Sequence, residues 1–248
     1  MVSYGVTFAG VSDVWGRLIG SQPAPPRLIV LGTAVLALLV VAPYVTWRIS
    51  RHVITIAHEG GHALVGLLTG RRLSGIRLHS DTSGLTVTRG RPTGPGMVFT
   101  SMAGYLTPSL LGLLGAVLLT SGRITLMLWA ALLVLLAMLV MIRNVFGVLS
   151  VITTTGIVFA ISWYTSAQVQ AAFAYFSVWL LLIGGVRPIG ELQRLRRRGQ
   201  LPDSDADQLA RLTPFPGWFW VTFFLLANVA ALLFGGWMLL EEMTRGWL

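Results

Sequence analysis

Hydrophobic positions fall in long blocks along this chain, separated by only a few polar residues. Such blocks run over about residues 28–47, 49–69, 97–120, 124–142, 145–164, 169–187 and 217–240. Each approaches the roughly 20 residues that carry a helix across a bilayer core about 30 Å thick. Seven membrane helices are expected, or six if the fifth, weakened by Thr153 to Thr155, is re-entrant. Pro108 is expected to kink the third.

The pattern changes to a two-residue period between the second and third blocks. Ile76 and Leu78 alternate with Arg77 and His79, and Leu85 and Val87 alternate with Thr86 and Thr88. With turn-forming Asp81 to Gly84 between them, residues 73–89 are predicted to form a β-hairpin. Val6 to Ile19 is compatible with a short interfacial helix ended by Pro23 to Pro26. Residues 1–26 are therefore read as an N-terminal interfacial segment and 27–248 as one transmembrane domain. A polar stretch over 190–215 carries Arg194 to Arg198 and then Asp203, Asp205 and Asp207. The fold class expected is an all-α membrane protein, a polytopic bundle of about six to seven helices with a short hairpin insert.

Composition agrees with the blocks: 54% of residues are hydrophobic and 11% charged, about half the charge share of a soluble domain. The spans leave no room for a second soluble domain, and the absence of cysteine excludes disulfides and thiol ligands. The net charge of +9 raises the question of nucleic acid, but topology explains it better. All 18 basic residues are arginine. A seven-span path with a cytoplasmic N-terminus puts fourteen of them inside and leaves Arg48, Arg51, Arg123 and Arg245 outside, as positive residues distribute in membrane proteins. No nucleic-acid partner is expected; the lipid bilayer is.

Within the second block stands the run His58-Glu59-Gly60-Gly61-His62. On a helix, His58 and His62 project from nearly the same side one turn apart, so both imidazoles can reach one zinc ion. Glu59 would lie within reach of a water held by that metal, as a general base must. Ionisable groups at membrane depth are costly and are usually functional. His62 lies eight residues before Gly70, about 12 Å below the cytoplasmic end. Gly60 and Gly61 are poor helix formers, which points to close approach of another backbone. A catalytic zinc takes a third protein ligand. His52 points to another helix face, His79 belongs to the hairpin, and Glu241 and Glu242 fall on the far side of the expected bundle. The acidic stretch from Asp203 to Asp207 remains, provided that it dips into the bundle, with any of its three aspartates a candidate.

These residues resemble the site-2 protease family of membrane-embedded zinc metallopeptidases, and more narrowly its small branch with little beyond the membrane core. The resemblance rests on His58-Glu59-Gly60-Gly61-His62-Ala63, the following hairpin, Ala103-Gly104-Tyr105-Leu106, Arg143-Asn144-Val145-Phe146-Gly147 and Ser204-Asp205-Ala206. It covers about residues 49–240, and only the histidine motif is highly specific. Better-known members carry their third ligand in an Asn-Pro-Asp-Gly or Leu-Asp-Gly element, and neither is present. The resemblance implies Asp205 as the third ligand, with Asp207 next and then Asp203, and Asn144 as either a ligand-supporting or substrate-binding amide or a local helix-start group. It also implies an intramembrane zinc endopeptidase with catalytic Glu59 and metal ligands His58, His62 and Asp205. Its substrates would be membrane-spanning or membrane-associated proteins, in a bacterial cell membrane with the N-terminus cytoplasmic. The hairpin edge could hold an unwound substrate by strand addition. Two other classes remain: a non-catalytic metal-binding scaffold or regulator, favoured by the missing aspartate element, and, less favoured, a metal transporter.

Overall fold

A computed structural model describes residues 16, 20–200 and 203–245 of the chain, with side chains through 241. The expected helix from Val6 to Ile19 falls almost wholly outside the described residues. Eight helices and one hairpin follow in order: α1 (Arg27–Val41), α2 (Tyr44–Leu68), β1 (Arg72–Leu78), β2 (Gly84–Arg89), α3 (Pro95–Thr120), α4 (Ile124–Met141), α5 (Val145–Tyr164), α6 (Ala167–Arg197), α7 (Asp205–Leu212) and α8 (Gly217–Arg245). Five of them, α3, α4, α5, α6 and α8, are long and apolar enough to cross a membrane singly. The chain is a multi-pass membrane protein.

The first two helices depart from the expected pair of separate spans. Pro43 cannot continue α1, and α2 restarts after it at an angle of 105°. At 15 residues, α1 is about 22 Å long, too short to cross alone. Its leading end lies at the far end of α3, where the Gln22 amide donates to the Gly122 carbonyl and Thr125 donates to Gln22 Oε1. Its trailing end stops inside the bundle, where the Arg187 guanidinium donates to the carbonyls of Val41 and Ala42. Gly185, two residues before Arg187 on α6, packs on Ser109 of α3, about 20 Å from the Pro95 end. Thus α1 and α2 together make one broken span, for six in all. Residues 20–22 and the hairpin base sit at opposite ends of α3. The expected seven-span path, which put the N-terminus and the hairpin on one face, is replaced. Arg48 and Arg51, expected at the outer side of the membrane, belong to α2.

Buried carbonyls at a helix break are costly in hydrocarbon unless a donor reaches them. The supporting cluster is complete: Arg187 and Arg51 pair with Glu191 at 3.5 and 3.1 Å, and Trp47 Nε1 donates to Glu191 at 2.8 Å. Arg187 also covers the Trp47 ring at 4.9 Å. One carboxylate and one indole thereby hold Arg187, the arginine that reaches the break.

Elsewhere, α3 is continuous through Pro108 and α6 through Pro188. The expected polar loop from 190 begins instead as helix, because Ile189 and Leu192 extend the buried stripe of α6 onto α7 and α8. The hairpin is antiparallel with a bulge between Leu73 and Gly75. Ile76 and Leu78 are buried, as their alternation predicts. On β2 the sense is reversed: Thr86 and Thr88 face α2, while Leu85 (51%) and Val87 (42%) are exposed. The outer edge of β1 meets residues 142–144. Ile76 bridges Ile142, and the Arg143 amide donates to the Ile76 carbonyl.

Candidate metal centre

Helix α2 presents His58 and His62 one turn apart, and α3 presses its backbone against them. A Cβ on Gly104 would overlap both imidazole Nε2 atoms. The two Nε2 atoms lie 3.1 Å apart, and Asp205 Oδ2 lies 3.3 Å from each. His62 Nδ1 is 2.7 Å from the Thr100 carbonyl, which can only accept. Nδ1 therefore carries the proton and Nε2 turns a lone pair toward the other two atoms. The edge of Tyr105 meets His58 with centroids 4.8 Å apart, and Tyr105 stacks on Phe224, which closes that side.

Asp205 arrives from the start of α7. The hydroxyl of Ser204 caps this helix by accepting from the Asp207 amide, and it donates to Asp207 Oδ2. Apolar Ala206 and Leu209 sink among Ile189, Leu192, Val221 and Phe224, while Gln208 accepts from Ser101 of α3. The polar segment thus dips into the bundle as an amphipathic helix of about two turns.

The other two acids are engaged elsewhere. Asp207 takes a fork of hydrogen bonds from Arg196, and Asp203 is 83% exposed beside Arg211. Burial pushes the Asp207 carboxyl up, but the hydrogen bonds from Arg196 and Ser204 prevail and hold it below the usual range.

Three donor atoms, two imidazole nitrogens and one carboxylate oxygen, lie within 4.8 Å of one another. The donor set is one that zinc favours. Edges of 3.1 to 3.3 Å match the spacing of ligands about 2.0 Å from a single tetrahedral ion. The residues present fit such a metal.

Glu59 is 4% exposed. Thr86 of β2 donates to its Oε2 at 2.6 Å and approaches its main-chain carbonyl at 3.1 Å. Gly84 lies so near that a Cβ there would strike the Glu59 carboxylate. Thr55 donates to the Thr82 carbonyl at 2.8 Å and pins the hairpin tip to α2. The hairpin is therefore the lid over the Glu59 side chain.

Of the residues expected at the site, the structure brings together His58, His62 and Asp205, with Glu59 beside them on α2. His52 packs on Phe146 and exposed His79 meets Ser83, both outside the cluster. Asn144 stands at the start of α5, where its amide donates to the Leu78 carbonyl and accepts from the Leu78 amide, in place of a neighbouring strand. Thr86, Tyr105 and the Thr100 carbonyl were not foreseen. The threonines alternating along β2 were the one available signal, since a strand in an apolar setting has little other reason to point hydroxyls at a helix.

No curated protein and no solved structure matches the chain. A family model described as peptidase M50B-like matches residues 31–235, from within α1 to within α8. By that match, with a histidine pair and a carboxylate converging inside it, the chain belongs to the peptidase M50B-like family.

Proposed function

We propose that this protein is an intramembrane zinc metallopeptidase that cuts membrane-spanning or membrane-associated polypeptides. The observation that carries the reading is the convergence of His58, His62 and Asp205 beside a buried Glu59, inside a bundle of apolar helices. Membership of a peptidase family supports it. A zinc ion held by the three ligands supplies Lewis acidity toward a water and a peptide carbonyl.

Glu59 takes a proton from the attacking water and returns it to the amide nitrogen as the C–N bond breaks. Thr86, hydrogen-bonded to Oε2, leaves Oε1 as the oxygen free to do this. His62 is held in the ligand tautomer by Thr100, and Tyr105 keeps one wall of the site apolar.

A substrate helix shields its own peptide bonds and must be extended to be cut. Among the described residues, the edge of β2 away from β1 has no strand partner, and it lies beside Glu59. An extended substrate segment pairs there.

The test is zinc content and cleavage of a membrane-spanning substrate in reconstituted protein. Wild type and Glu59→Gln should each hold about one zinc, with cleavage only in wild type. Proline at the outward-bonding positions of β2 should slow cleavage with zinc in place. Protein without zinc, or zinc-loaded wild type that cuts nothing, would reduce it to a scaffold. Metal moved across sealed vesicles would make it a transporter.

A further inference from the structure

A cleft of 560 Å³ opens between α6 and α8 where the chain is richest in arginine. Arg194 and Arg197 of α6 and Arg198 just after it line one side, with Trp218, Val221, Thr222 and Leu225 from α8. Four arginines lie within five residues here, but they are not equivalent. Arg196 is committed to Asp207, whereas the other three have no acidic partner among the described residues. Gln193, on the same wall, has a buried amide oxygen without a partner among those residues.

The cleft is graded along the membrane normal. Helix α6 ends at Arg197 and α8 begins at Gly217, so both walls start at the same end. At that end stand the guanidinium groups and Trp218, which is 63% exposed, as an interfacial tryptophan is. Val221 and Thr222 lie about 5 Å deeper, and Ile189, Gly190 and Leu225 about 10 to 12 Å deeper. A cationic mouth above an apolar floor complements a molecule with a phosphate at one end and a hydrocarbon chain at the other. Scattered topology-setting arginines have no need of such a floor. Basic pockets between membrane helices are of the kind that hold acidic lipid headgroups.

We propose that this cleft binds one anionic phospholipid, its phosphate on Arg194, Arg197 and Arg198 and an acyl chain along Ile189, Val221 and Leu225. The site is independent of the chemistry proposed for the metal centre but mechanically joined to it. Ile189 and Val221 also form the bed on which Ala206 and Leu209 seat α7, the helix that carries Asp205.

The experiment uses full-length protein in neutral detergent, offered phosphatidylglycerol or phosphatidylcholine and weighed intact by native mass spectrometry. One phosphatidylglycerol is expected to stay bound, and phosphatidylcholine at equal concentration is not. Replacing Arg194, Arg197 and Arg198 by Gln should weaken retention roughly a hundredfold, at about fivefold per arginine.

Two further variants separate a built site from general surface charge. Gln at Arg72, Arg77 and Arg91 removes the same charge from the same face and should leave retention unchanged. Gly190→Leu alters no charge, and a Cβ there meets no atom within 4 Å, so the fold should accept it. Its side chain fills the apolar half of the cleft and should lower retention at least tenfold. Glycerol phosphate, the headgroup without chains, should not compete. Equal retention of phosphatidylcholine, equal loss in the Arg72, Arg77 and Arg91 variant, unchanged retention in Gly190→Leu, or competition by glycerol phosphate would each overturn the proposal.

Discussion

Three aspartates within five residues could have faced the histidine pair, and their partners decide among them. Asp203 is out in solvent, Asp207 is held by Arg196 and Ser204, and Asp205 alone is left pointing at the imidazoles. Asp205→Asn should therefore weaken zinc binding more than about a hundredfold, since even outer partners of a ligand are worth ten- to a hundredfold. Asp207→Asn keeps the shape of its hydrogen bonds and should retain about one zinc per chain by elemental analysis. A second residue-scale expectation concerns Thr86, whose hydroxyl fixes which oxygen of Glu59 is free. Thr86→Val should lower kcat about ten- to a hundredfold with zinc content and KM little changed, and Thr86→Ser should restore most of it. Loss of zinc in Thr86→Val, or no rescue by Ser, would give Thr86 a structural role only. The two histidines and Glu59 were legible in the sequence because their spacing is local to one helix. Asp205 was not singled out by spacing: nearly 150 residues separate it from His58, and only the engagement of its neighbours distinguishes it.

At the scale of elements, the two motif glycines do different jobs. A Cβ on Gly61 would run into the Thr107 side chain and lie 3.0 Å from the Ala103 carbonyl, so α2 and α3 touch backbone to backbone there. Gly60 meets only Met138 Sδ, at 3.7 Å. Gly61→Ala should cost about 1–3 kcal/mol by forced separation of the helices. Gly60→Ala should be neutral or stabilise by up to about 1 kcal/mol, from helix propensity. Thermal unfolding, with zinc content measured alongside, checks the pair, and an equal loss in both would contradict the assignment. Close approach was legible from glycine in mid-helix; which glycine was not, since that depends on the partner helix. The hairpin was equally legible from its two-residue period and turn residues. The break in the first span was written in Pro43 but masked by apolar Val45 and Trp47, which carry the hydrophobic block straight through it. The guanidinium donor that reaches the carbonyls of the break, and the carboxylate that holds it, come from α6, far away in the chain.

For the whole molecule, one broken span instead of two crossings changes which ends of the chain share a face. Gln22 is bonded to Gly122 and Thr125, while Thr69 packs against Gly96, so α3 separates residues 20–22 from the hairpin base by its full length of 26 residues. At the hairpin end lie Arg71, Arg72, Arg77, Arg89, Arg91, Arg143, Arg194, Arg196, Arg197, Arg198 and Arg211; at the other end lie Arg27, Arg123 and Arg245. By the charge rule the hairpin end is expected in the cytoplasm, and residues 20–22 are then expected on the opposite side. The wild-type chain has no cysteine, so single introduced thiols report without background. Ser21→Cys and Ser166→Cys, both exposed and at the same end of the bundle, should react with a membrane-impermeant maleimide added to intact cells. Thr93→Cys, at the hairpin base, should react only after the membrane is opened. Labelling of Ser21→Cys and Thr93→Cys from the same side would restore two separate crossings for α1 and α2. In that case the Arg187 contacts with Val41 and Ala42 could not hold, because those carbonyls would reach the membrane surface and be satisfied by water.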